Sequence, residues 1–167
     1  MMGITVVGLG PGDGRFLTRE AWQILTEAGT VHLRTKRHPA VADLPENVTL
    51  VSFDGIYETA VNFESVYAQI VAELLRLAQT GPVVYAVPGH PHVGESTVTA
   101  LETAAQEVGV AVRIVPGISF IEPMLTAVGY DGLDGLQLFD AVEMLAFHYP
   151  PLNPDVPLLL GQVYSRL

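Results

Sequence analysis

Apolar positions along the chain follow two rhythms. From Asn62 to Gly81, the residues Phe63, Val66, Tyr67, Ile70, Val71, Leu74, Leu75 and Ala78 recur at i, i+3, i+4 and i+7. That spacing predicts a four-turn amphipathic helix, which Gly81-Pro82 stops. Shorter β-branched runs at Ile4 to Val7, Val31 to Leu33, Thr49 to Phe53, Val83 to Val87 and Val112 to Val115 have strand length and turn residues around them. Val83 to Val87 is apolar throughout, as expected of a strand covered on both faces. Thr18 is placed to cap a helix carrying Trp22, Leu25 and Ala28 before Gly29, and Val98, Leu101, Ala105 and Val108 mark another. Ser119 and Glu122 have capping-box spacing ahead of a further helix, with Pro123 in its first turn. Strand, turn and helix alternate, which predicts an α/β fold on a parallel sheet with ligands gathered at the carboxyl ends of the strands.

After Gly129 the pattern changes. Gly132, Gly135 and a proline-rich stretch from Pro150 to Pro157 accompany two strand candidates, Leu136 to Phe139 and Leu158 to Leu160, with one short helix candidate between them. The expected division is a first α/β half over residues 1–129, then a linker and the incomplete start of a second half over residues 130–167.

Composition narrows the partners. Eight Lys+Arg against eighteen Asp+Glu leave a formal net charge of -10, which repels nucleic acid and anionic membrane surfaces. The one basic cluster, Arg34, Lys36, Arg37 and His38, is too short for a nucleic-acid footprint and reads as a solvated loop. Cysteine is absent, neither a leader pattern nor an apolar run of membrane length is visible, and a cytoplasmic globular protein is the expectation.

Three glycine-bearing turns then compete for chemical meaning: Gly8 to Asp13, Pro88 to Gly94, and Pro116 to Phe120. A dinucleotide fingerprint fails in the first, because Asp13 stands where the third glycine belongs, and Arg34 rather than an acid follows the second strand. No Gly-Lys-Ser/Thr P-loop occurs. His90 and His92 lie in the second turn, but His32, His38 and His148 have no metal-ligand spacing to them, so no metal site is expected.

The segments "VVGLGPGD", "VVYAVPGHPHVGEST", "VPGISF" and "LQLFDA" occur in the order in which the tetrapyrrole (corrin/porphyrin) methylase family carries them. With "RTKRHPAV", they most resemble the methylase-like domain fused ahead of a MazG-type nucleotide pyrophosphohydrolase. The resemblance implies two α/β halves that hold S-adenosylmethionine between them, and a homodimer. It implies cofactor contacts from Pro11, from Gly89, His90 and Val93, from Ser119 and Phe120, and, near the adenine, from Gly161 and Gln162. Asp13 would lie at the substrate mouth. Small residues suit that role, since a ligand must approach the backbone closely. The implied activity is methyl transfer to a small-molecule acceptor of the tetrapyrrole class. Its alternative is a non-catalytic S-adenosylmethionine-binding or regulatory module of a MazG-type pyrophosphohydrolase.

His90 departs from the aspartate that many of these methylases carry in Gly-Asp-Pro. No catalytic residue is assigned, because alignment does most of the work in an in-line methyl transfer. Leu158 to Ser165 resembles an early strand of the second half with few elements after it. The expectation is therefore a strand without its usual neighbours, in a tail that is disordered, repacked or paired with a second molecule, and a chain that binds the cofactor weakly at best and does not turn over.

Overall fold

A computed structural model describes residues 3–163. Five strands, β1 (Gly3–Gly8), β2 (Thr30–Leu33), β3 (Thr49–Ser52), β4 (Val83–Val87) and β5 (Ala111–Val115), form one sheet in the order β3-β2-β4-β1-β5. Every pairing in it is parallel, with Ile4 opposite Val83 and Val112, and His32 opposite Tyr85. The expected α/β fold is therefore present, with β4 and β1 at its centre.

Alternation along the strands sorts the core into two layers. Ile4, Val6, Val83, Tyr85 and Val87 face α3 (Phe63–Ala78) and α4 (Ser96–Val108), where they meet Val66, Ile70, Leu74, Val98 and Leu101. Val7, Val31, Leu33 and Ala86 face the opposite way, toward Ala21 and Leu25 of α1 (Arg19–Glu27) and Ala40 in the 3-10 turn Pro39–Asp43. Thr18 caps α1, its hydroxyl accepting from the Ala21 N–H at 3.1 Å. Asn62 does the same for α3 through Ser65 N–H at 2.8 Å.

Three apolar positions on the expected helices face solvent, and the reading of the 34–38 segment needs correction. Trp22 is 42% exposed, because Ala21 and Leu25 are the residues that α1 turns inward. Val108 and Phe63 are also exposed, the first at the helix's last turn and the second at its first. The 34–38 segment is only half solvated: Lys36 and Arg37 are exposed, whereas Arg34 and His38 turn inward. Helix α2 (Asp54–Thr59), directly after β3, has no counterpart in the sequence reading.

The chain divides into two compact units, Met1–Phe120 and Ile121–Leu167. The second contains α5 (Ile121–Val128), β6 (Gln137–Asp140), α6 (Ala141–Met144) and β7 (Leu158–Gly161). The tail strand is not unpartnered, since β7 pairs in parallel with β6, Gln137 opposite Leu158 and Asp140 opposite Gly161. Gln137 fixes the connection between them by donating to the Asn153 and Val156 carbonyls, both at 2.8 Å. Tyr164 and Ser165, the end of the expected strand, lie outside the described residues.

Candidate functional site

At the carboxyl ends of β1, β4 and β5 the three glycine-bearing turns are brought together. Gly10 and Gly89 exchange backbone hydrogen bonds, Gly10 N–H to Gly89 O at 3.2 Å and Gly89 N–H to Gly10 O at 2.8 Å. The third turn closes on them so tightly that a Cβ at Gly117 would lie 2.2 Å from Gly89 O and 2.9 Å from Gly8 Cα. A Cβ at Gly8 would in turn lie 2.6 Å from Gly117 N. The neighbouring strands β4, β1 and β5, distant in sequence, produce this junction at the carboxyl edge where open parallel sheets gather their ligands.

Of the residues assigned to the cofactor, Pro11, Gly89, His90, Val93, Ser119 and Phe120 all belong to these three turns. Gly89 has φ +64, and the space beside its Cα is open, so a ligand can approach the backbone where any side chain would intrude. His90 Nδ1 accepts from His92 N–H at 3.0 Å, which leaves the ring proton on Nε2 as its donor. The His90 carbonyl accepts from Val93 N–H at 2.9 Å and closes the turn. His92 points elsewhere and meets Glu102 Oε2 at 3.0 Å. Ser119 is buried and Phe120 exposed.

Asp13 caps the 3-10 turn Gly14–Phe16, accepting from Arg15 N–H at 3.1 Å and pairing with the Arg15 guanidinium at 2.9 Å. That contact holds its carboxyl below the usual carboxylate range. Gly161 and Gln162 belong to the second unit, where Gly161 ends β7 and Gln162 takes φ +57.

Two functional arrangements are not visible in the sequence. In the first, His38 places Nε2 3.0 Å from the Gly10 carbonyl and braces the first turn from the side. Burial holds the His38 ring below its ordinary pKa, so it is neutral and donates from Nε2. The second is a buried polar cluster at the ends of β2 and β4. Glu95, immediately before α4, is 5% exposed and has Arg34 Nε at 3.1 Å, although that N–H is not aligned on the carboxylate as a hydrogen bond. Thr97 Oγ1 donates to the same Glu95 oxygen. The guanidinium lies over the rings of Tyr57, at 5.7 Å, and Tyr67, at 6.0 Å. The Tyr57 and Tyr85 hydroxyls are buried within electrostatic reach of the ion pair, yet neither meets hydrogen-bond geometry. Burial pushes the Glu95 carboxyl up, with Arg34 working against it. Alternation along β2 was the available signal, since His32 and Arg34 must share a face.

Among the described residues no three His, Cys, Asp or Glu side chains are grouped to hold a metal ion, and no helix is long and apolar enough to cross a membrane.

A parallel α/β sheet with three glycine-bearing turns joined at the carboxyl ends of β1, β4 and β5 defines an α/β protein of the kind that gathers ligands at that edge of the sheet. The chain belongs to the tetrapyrrole (corrin/porphyrin) methylase family, whose model matches residues 3–142. It is 39% identical over 165 residues to the uncharacterized protein YabN of Bacillus subtilis (strain 168), covering 98% of this chain and 33% of that protein. It is 30% identical over 142 residues to diphthine methyl ester synthase of Neurospora crassa, covering 85% of this chain and 46% of that one. The fold matches that of uroporphyrin-III C-methyl transferase from Thermus thermophilus complexed with S-adenyl homocysteine, with 27% identity and a TM-score of 0.64. That alignment covers 96% of this chain and 69% of the other. The chain spans less than half the length of either relative.

Proposed function

We propose that the first unit carries an S-adenosylmethionine site of a methyltransferase whose acceptor is a small molecule of the tetrapyrrole class. The observation that supports this reading best is the junction of Gly8, Gly89 and Gly117, with open space beside Gly89 in a turn whose ring donor is His90 Nε2. These residues fit the group: the open backbone admits a ligand, and an imidazole N–H can donate to a carboxylate. When bound, S-adenosylmethionine supplies a methyl group on a sulfonium. The acceptor's electron pair forms the new bond to carbon while the carbon–sulfur pair stays on sulfur.

The chain's own work is alignment. Gly10 and Gly89 fix the two turns relative to one another, His38 holds the Gly10 carbonyl, and Gly117 closes the third turn behind them. Pro11, Val93, Ser119 and Phe120 are assigned to the cofactor with them, Asp13 to the acceptor's entrance, and Gly161 and Gln162 to the adenine, following the family resemblance. The partnership with a MazG-type pyrophosphohydrolase, the homodimer and a cytoplasmic location belong to the same proposal.

Calorimetry with S-adenosylhomocysteine tests the reading. Binding to the chain that weakens about fivefold or more in His90→Ala supports it, because one polar contact to a buried group is lost. Absence of binding to the wild-type chain overturns the reading, and identical affinities of chain and variant remove His90 from the site. Methyl incorporation into a uroporphyrin-III-type tetrapyrrole distinguishes the enzyme from the binding module. The module is favoured by His90 standing where an anion would face the sulfonium, and binding without turnover supports it.

A further inference from the structure

The Arg34 cluster plays no part in the cofactor's alignment, and its chemistry calls for a ligand. A buried ion pair is weak evidence of stabilisation, since well-packed apolar residues of similar volume often do as well or better. This pair also leaves donors unused. The Tyr57 hydroxyl is buried with no hydrogen-bond partner, and Arg34 Nε–H, although 3.1 Å from the Glu95 carboxylate, is not aligned on it. Both residues line a cleft of about 420 Å3 that includes Thr35, Arg37, Asp54 and Glu58, a volume suited to a small organic ligand.

The guanidinium is fixed in direction. Tyr57 and Tyr67 flank it, and Glu95 holds its Nε side. Phe63, 58% exposed, stacks on Tyr67 at 6.2 Å and extends the aromatic wall toward solvent. Charge then selects the ligand. Glu95 already neutralises Arg34, so a second anion beside the pair would be repelled. Asp54 is occupied, accepting from Lys36 N–H at 2.9 Å and Ser52 Oγ at 2.9 Å, which pins the loop that carries the cleft. At the mouth, exposed Arg37 and Glu58 offset one another.

We propose that this cleft binds an uncharged planar group, its carbonyl oxygen accepting from Arg34 and its flat face resting against the Tyr57 ring. An amide or lactam on an unsaturated skeleton has that chemistry. A carboxylate has the same shape and the wrong charge.

The probes are 2-naphthamide and 2-naphthoate, titrated separately into the full chain at neutral pH and followed by NMR. The expected result is that 2-naphthamide shifts the Arg34 Nε–H and Tyr57 ring signals and binds about tenfold tighter than 2-naphthoate. Arg34→Lys, which keeps a charge for Glu95 but loses the planar fork, should weaken 2-naphthamide by about tenfold. The wild-type shifts stand whether or not that variant folds. Three results would each overturn the proposal: 2-naphthoate binding as tightly as the amide, shifts that map away from Arg34, or no shift from either probe up to about 5 mM, which would mean that the buried donors hold water alone. The site rests on the first unit's geometry and not on the methyl-transfer reading. Binding of 2-naphthamide without S-adenosylhomocysteine binding would sink that reading and leave this one standing. The converse result would do the reverse.

Discussion

A methyl group added at Gly117 would have to occupy the space of the Gly89 carbonyl, and the paired hydrogen bonds between Gly10 and Gly89 hold that carbonyl in place. Gly117→Ala is therefore expected to cost about 1–3 kcal/mol of stability, by overpacking, and to abolish ligand binding at the three turns. Gly29→Ala is the matched control. Its Cβ meets nothing within 4 Å and its φ is ordinary, so it should be neutral or stabilise by up to about 1 kcal/mol. Urea titrations of the two variants check the pair, and equal effects would mean that the junction can yield. Side-chain titration offers a second test at this scale. Burial holds His32 and His38 below the ordinary histidine value of about 6.5. The folded chain thus refuses protons that the unfolded chain accepts as the pH falls from that value toward the lower folded-state ones. Stability from these residues is complete above that window and is lost as the pH drops through it. The pH dependence of the urea midpoint should show that loss, and His38→Gln should reduce its slope.

At the scale of elements, the sheet order decides how much a substitution costs. β4 lies between β2 and β1, and Val84 packs against the layer formed by Val31, Leu33 and Leu25. Val84 is half-buried there, so Val84→Asp must desolvate part of a carboxylate, with an expected loss of about 2 kcal/mol. β3 is an edge strand, and Val51 on it is 41% exposed. Val51→Asp should stay within about 0.5 kcal/mol of wild type. Thermal melts of both check the order directly, because a large effect at Val51 with a small one at Val84 would reverse centre and edge.

Across the whole molecule the two units differ in what they bury. The first encloses two apolar layers, whereas among the described residues of the second no hydrophobic side chain is fully buried. Leu158 and Leu160 of β7 are each 39% exposed, and Leu138 of β6 is 42% exposed. A two-stranded sheet without a covered face is marginal in water. Amides of β6 and β7 should therefore exchange hydrogen about tenfold or more faster than those of β1 and β4 when the protein is measured by mass spectrometry. Equal protection would show that the second unit's exposed faces are covered in solution.

Periodicity and turn chemistry are local properties, and they were sufficient for the five strands of the first unit, the stripe of α3, the cap at Thr18, and the three glycine-bearing turns. Each of those features is written within a few residues, where spacing alone separates a helix from a strand. The motif order also carried the family, because four segments in sequence constrain far more than one glycine pattern. Local pattern did not decide which face Trp22 takes, because Ala21 and Leu25 satisfy the core as well and the tryptophan is left outside. Nor could it show that Gly8, Gly89 and Gly117 touch, since strand order sets that contact and each glycine lies in a different turn. The Arg34 cluster is the clearest case. Arg34, Tyr57, Tyr67 and Glu95 sit on four separate segments, and the pattern around each one alone does not point to a shared cluster. Only the parallel crossover that sets β2 beside β4, with α2 and α3 over the same face, buries a guanidinium against a carboxylate and gives that residue a chemistry its neighbours in the chain do not announce.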